Sequence, residues 1–173
     1  VDNEKSAYVS AKFIADGAKP GTQAAILEGI RGADNARQRT EGAKRAFAGN
    51  KAITLMESES ANWKIDEAYV TTKQLFARHP KITLLFAAND MMVLGALKFL
   101  KENQRSDVKV AAYDALDEAI AEVKTGHLAV TVDQQAAEQG FQGVALAVRL
   151  LNSERVPEIM LIDTRLITPQ SVQ

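Results

Sequence analysis

Polar side chains gather at one recurring place in this sequence, directly behind short apolar runs. Arg31, Asp34, Arg37 and Arg39 follow the first run, and Glu57, Glu59, Asn62 and Trp63 the second. Asn89 and Asp90 follow the third, Asp114 the fourth, and Asp133 and Gln134 the fifth. Planar side chains of this kind serve adjacent hydroxyl groups in pairs, with Arg donating, Asp accepting and Asn or Gln doing both. The face of the single Trp offers a surface for stacking on an apolar C–H face. Such a set suits a neutral, polyhydroxylated ligand. Taken one at a time, Asn89 and Asp34 are equally well explained as helix caps and the Arg and Glu residues as solvated surface. Their joint placement behind five successive runs favours a shared site.

Other chemistries find less support. The chain has no cysteine, which removes thiol catalysis, disulfide frameworks and Cys-ligated zinc. Its two histidines, His79 beside a proline and His127 after a glycine, fall at the other ends of the apolar runs and read as loop residues rather than general bases. No GxSxG elbow, P-loop or GxGxxG fingerprint occurs, and Gly29 with Gly32 forms only a GxxG. A receiver-type phosphorylation site would need an acidic pair at the end of the first run, where the chain has Glu28, Gly29, Ile30 and Arg31. With 21 Lys and Arg against 22 Asp and Glu, the net charge is −1. That balance argues against binding to nucleic-acid phosphates or anionic membranes.

The elements that must position these residues alternate. Residues 3–17 read as an amphipathic helix ended by Gly17 and Pro20. Strands are predicted at 23–28, 51–56, 82–87, 108–113 and 128–132. Helices are predicted from Asp34 to about 48, from about 66 to 78, from Asn89 as N-cap, over 114–124 closed by Gly126, and from about 136 to 151. Residues 29–32 read as a turn and the stretch behind the second strand as a polar loop through Trp63. Two short extended pieces follow, at 158–162 and 165–167. This rhythm predicts right-handed βαβ units, hence an α/β, three-layer αβα architecture with a parallel sheet. In such sheets ligands bind outside the carboxyl ends of the strands, where the polar residues fall.

Residues 79–97, HPKITLLFAANDMMVLGAL, resemble the "hP.i.aifa.ND.mAlGal" signature of type I periplasmic sugar-binding proteins, particularly the ribose-binding branch. Three flanking segments are similar to further family segments in the same order: 34–42 (DNARQRTEG), 112–115 (AYDA) and 126–134 (GHLAVTVDQ). The resemblance extends over nearly the whole chain. The resemblance implies an extracytoplasmic solute-binding protein that hands a monosaccharide or related polyol to an ABC permease, without catalysis, metal or cofactor. Carried over residue by residue, it places the sugar ligands on Arg39, Trp63, Asn89, Asp114 and Gln134. Trp63 stands where the ribose binder has Phe, and Met92 where the signature has Ala.

Members of this family have two lobes joined by three crossings, and Asp2 with Asn3 is similar to the first crossing. The resemblance therefore implies that 1–133 and 163–173 form the C-terminal lobe, while 134–162 belong to an N-terminal lobe that the 173 residues do not include. The chain is expected to be truncated or processed at its start and to carry no signal peptide. Phe141, Val144, Ala145, Val148 and Leu151 form one stripe of the 136–151 helix. That stripe is expected to fold onto its own lobe, to swap with a second copy or to pair with the absent lobe. A second reading, the effector-binding core of a lac-repressor-like regulator, shares the architecture. Residues 104–110 lack the "vP.Dv.v" pattern usual in that group.

Overall fold

The apolar runs at Ala24–Leu27, Ile82–Ala88 and Val110–Tyr113 are too uniformly hydrophobic for a sheet with one wet face, and they occupy a sheet covered on both sides. The computed structural model describes residues 1–172; Gln173, the last residue assigned to the C-terminal lobe, lies outside the described residues. The elements are α1 (Asn3–Ala15), β1 (Thr22–Glu28), α2 (Asp34–Ala48), β2 (Ile53–Ser60), α3 (Ile65–Arg78), β3 (Ile82–Ala87), α4 (Asp90–Glu102), β4 (Lys109–Ala111), α5 (Asp117–Lys124), β5 (Thr131–Asp133), α6 (Ala136–Leu151) and β6 (Arg165–Ile167). The α/β class and the parallel sheet expected from the sequence are both present.

Four strands pair in parallel in the order β2-β1-β3-β4. The chain leaves β1 for the edge strand β2, then returns past β1 to β3 and β4. Right-handed crossovers with this reversal put α2 on one face and α3 and α4 on the other. α1 packs on α2, and α3 on α4. Gly42 permits the first contact, since a Cβ there would lie 2.2 Å from the Glu4 carbonyl oxygen. A parallel bridge from Ala111 to Val130 adds the fifth run to the sheet, and β5 then pairs antiparallel with β6. The core between the layers is aliphatic and aromatic, with Ile26, Leu27, Leu85, Phe86 and Phe47 fully or almost fully buried.

Several local expectations change. β2 continues to Ser60 because the register slips at Met56, where β1 passes from Leu55 to Glu57. A bulge of this kind breaks the alternation that a sequence reading follows. Asp34 is the first helical residue rather than the N-cap. Ala33 occupies the cap without a side-chain bond, and Asp34 pairs with Arg37 at 3.1 Å. The helix after β4 begins at Asp117, not Asp114, and residues 158–162 form no strand. Asn89 does cap α4, its Oδ1 accepting from the Met92 N–H at 2.9 Å. Gly126, at φ +80°, closes α5 as expected.

α6 stands apart from the core and has no buried residue. Phe141 is 67% exposed and Leu151 85%. The expectation that the stripe folds onto its own lobe is not met: 157–162 lie beside α6, yet the stripe stays open. Nothing among the described residues covers it.

Candidate functional site

The direction of chain travel reverses between β1 and β3, and a crevice opens at such a switch point on the carboxyl side of the strands. Trp63 lies there, behind β2 and half-buried against Gly29 at the end of β1. A Cβ on Gly29 would sit 2.1 Å from Trp63 Cζ2, so this glycine is needed for space. The sequence suggests only a turn at 29–32; an unexplained glycine at a strand end was the available signal.

Arg39, on α2, reaches the same rim from the side. Its side chain is 5% exposed and held on three sides. Nε donates to Asn3 Oδ1 at 2.9 Å, and Nη1 donates to the Ala88 carbonyl at 2.9 Å and to Asp114 Oδ1 at 3.1 Å. The guanidinium lies 3.7 Å from the Tyr113 ring centroid and 5.8 Å from that of Trp63. A buried cation needs a counter-charge and satisfied donors, and Asp114 with the two oxygens supplies them. Burial pushes the Asp114 carboxyl above the usual carboxylate range, and the Arg39 guanidinium pulls it partly back.

Gln134 completes the line, its Nε2 donating to Asp114 Oδ1 at 2.9 Å. Arg39, Asp114 and Gln134 thus share one carboxylate oxygen. Asn89 lies on the same rim, next to the Ala88 carbonyl that Arg39 holds. Each of these four side chains commits part of its bonding capacity inside the protein. Arg39 Nη2, Asn89 Nδ2, Asp114 Oδ2 and Gln134 Oε1 make no hydrogen bond among the described residues. Two donors and two acceptors, with an indole beside them, remain for an outside partner.

The rim loops carry unusual backbone. Asn62, Trp63, Asp114, Ala115 and Gln135 all have positive φ, between 50° and 120°. Non-glycine residues adopt this region at a cost of about 1–3 kcal/mol each, and such strain collects at functional sites. The other polar residues behind the strands turn elsewhere. Arg31 pairs with Glu28 and Glu59, Asn62 donates to Glu67, and Asp133 accepts from the Gln135 N–H. Glu57 pairs with Arg78 and His79, which hold its carboxyl down at about 2. His127 pairs with Glu122 at 3.1 Å. Two concavities of about 340 and 410 Å³ lie away from the rim, one beside His127 and the other between α1 and the segment before β6. Asn3, Tyr113 and Thr131 support the rim without standing out in the sequence as its members, and Asp90, one of the polar residues behind the third strand, supports it from within the core.

Against known proteins, residues 1–155 match the family model described as the periplasmic binding protein domain. The chain belongs to the periplasmic binding protein domain family. It is 35% identical over 153 residues to the D-ribose/D-allose-binding protein of Pseudomonas aeruginosa, covering 87% of this chain and 47% of that protein. It is 32% identical over 169 residues to the ribose import binding protein RbsB of Salmonella typhimurium, covering 98% and 57%. Among solved structures, an ABC transporter periplasmic solute-binding protein from Actinobacillus succinogenes, with bound D-allose, superposes with a TM-score of 0.96 at 34% identity. That match covers 99% of this chain and 60% of the other. The chain therefore spans about half the length of the curated relatives it matches.

Proposed function

We propose that this chain is the sugar-binding C-terminal lobe of a solute-binding protein that captures a monosaccharide or related polyol outside the cytoplasm and delivers it to an ABC permease. The observation that carries this reading is the shared carboxylate of Asp114, bonded to Arg39 and Gln134, with two donors and two acceptors left over on one rim. A sugar hydroxyl donates and accepts at once, so it matches such a mixed set where a charged ligand would meet mismatched groups. Trp63 supplies the stacking face, Asn89 Nδ2 and Arg39 Nη2 donate to ring hydroxyls, and Asp114 Oδ2 and Gln134 Oε1 accept from them. The relatives are named for binding, which supports capture rather than turnover. The name of the Salmonella typhimurium relative points to import, which favours this reading over the effector core of a regulator.

In the same reading, residues 1–133 and 163–173 make up the lobe and 134–162 belong to a second lobe. The bare stripe of α6 supports that division, since a helix with Phe141, Val144, Val148 and Leu151 exposed normally covers them. The site is then half of an enclosure. Small ligands bind tightly when most of their surface is buried, so the 173-residue chain alone binds sugar weakly or not at all. Titration of the full-length protein with pentoses, hexoses and inositols, read by Trp fluorescence, tests the reading. Saturable binding of at least one sugar supports it, and the absence of binding across the panel overturns it.

A further inference from the structure

Asp90 is fully buried at the first position of α4 and touches neither solvent nor the open side of the rim. Its two carboxylate oxygens reach two other elements. Oδ2 accepts from the Leu116 N–H at 2.8 Å, and Oδ1 from the Thr131 hydroxyl at 2.8 Å. Thr131 Oγ1 in turn accepts from the Ala115 N–H at 3.2 Å. These bonds hold both backbone amides that follow Asp114. The loop they hold is strained, with φ of 120° at Asp114 and 56° at Ala115, so it needs a tether to keep that shape.

We propose that Asp90 is a positioning residue of the binding rim: through Leu116 and Thr131 its ionised carboxylate holds the 114–116 loop where Asp114 meets Arg39 and Gln134. This rests on the reading of the rim as a sugar site. A carboxylate accepts both donors. A protonated carboxyl keeps one good acceptor oxygen and must donate from the other. The side-chain acceptor within reach is Thr131 Oγ1, which would have to turn its own proton away while still serving Ala115. Protonation therefore loosens the tether.

The charged groups around Asp90 are Asp114, on the loop itself, and Arg39, paired with Asp114 from α2. Burial pushes the Asp90 carboxyl up to about 7, the bonds from Leu116 and Thr131 oppose that, and the charge of Asp114 adds to it. A ligand that needs the tethered loop favours the ionised form, so affinity rises as pH climbs through this value and binding below it releases a proton.

The test uses the full-length protein with D-ribose and D-allose as probes, titrated calorimetrically from pH 5.5 to 8.5. The expected result is affinity about tenfold lower at the acid end, as one unit of pKa change on binding gives. Asp90→Asn binds at the weak acid-end level throughout. Thr131→Val weakens binding and Thr131→Ser restores it, while a variant with both His79 and His127 replaced by Gln keeps the limb. Amide hydrogen exchange without sugar is a second readout: Leu116 and Ala115 exchange faster in Asp90→Asn. Wild-type affinity and pH profile in Asp90→Asn overturn the proposal. If neither sugar binds the wild type, the proposed function fails and the exchange decides alone, with unchanged protection of Leu116 overturning the tether.

Discussion

Replacing Gly29 with Ala isolates the contact that seats Trp63. Gly29 is not among the residues at positive φ, so its backbone accepts an alanine and the effect is steric. The added Cβ would lie 2.1, 2.2 and 2.3 Å from Cζ2, Cη2 and Cε2 of the indole. Carbon atoms rest at about 3.5 Å, so the ring has to withdraw by about 1.4 Å. Trp63 sits on left-handed backbone at φ 65°, and the movement falls on its side-chain torsions and on its stacking near Arg39. Overpacking of this kind costs about 1–3 kcal/mol. In a domain of this size about 2 kcal/mol lowers the melting temperature by roughly 4–8 °C. Trp63 is the one tryptophan in the sequence, so its emission reports the displacement directly. Gly29→Ala is expected to red-shift the emission and lower the urea midpoint. In a Trp63→Ala background the same change is expected to cost less than about 0.5 kcal/mol, because the obstructing ring is gone. Unchanged emission and midpoint, or an equal loss in both backgrounds, refutes the role given to Gly29.

Three further outcomes follow from the same contacts. Arg39→Met leaves Asp114 without its cation in a largely buried setting and should cost about 3–5 kcal/mol in chemical denaturation, whereas Arg37→Met, on an exposed pair, should stay within about 0.5 kcal/mol. Stability should depend on pH in two opposite ways. Asp90, raised to about 7 from an ordinary 3.8, stabilises most below about 4 and loses that contribution as pH rises to 7, on the order of 4 kcal/mol, and Asp90→Asn should flatten this slope in thermal melts. Glu57, held at about 2, contributes above its ordinary 4.5 and loses that contribution as pH falls toward 2, so Glu57→Gln should reduce the acid sensitivity. Phe141→Glu on the bare face of α6 should leave the melting of the 173-residue chain unchanged within about 0.5 kcal/mol and reduce its self-association in light scattering.

The sequence alone determined the α/β class, the order of strands and helices and the rim on which the polar residues lie. Those follow from periodicity and from local caps such as Asn89 and Gly126, which depend on near neighbours in the chain. Arg39, Trp63, Asn89, Asp114 and Gln134 were legible as members of that rim because each follows a strand, and the family resemblance singled these five out of the wider polar set. What joins them was not legible. The meeting of Arg39, Asp114 and Gln134 at one oxygen spans sequence separations of 75 and 20 residues. No local pattern records it. The bulge at Met56 hid the last residues of β2, so Glu57 lies inside the strand, paired with Arg78 and His79, and not behind it. The roles of Gly29 and Asp90 were not legible for a shared reason: one is defined by the space a distant ring needs, the other by two donors, Leu116 N–H and the Thr131 hydroxyl, 26 and 41 residues away. The tertiary structure decided these because burial raises the cost of every unmatched volume and every unpaired polar atom, and only the assembled fold sets which residues must answer it.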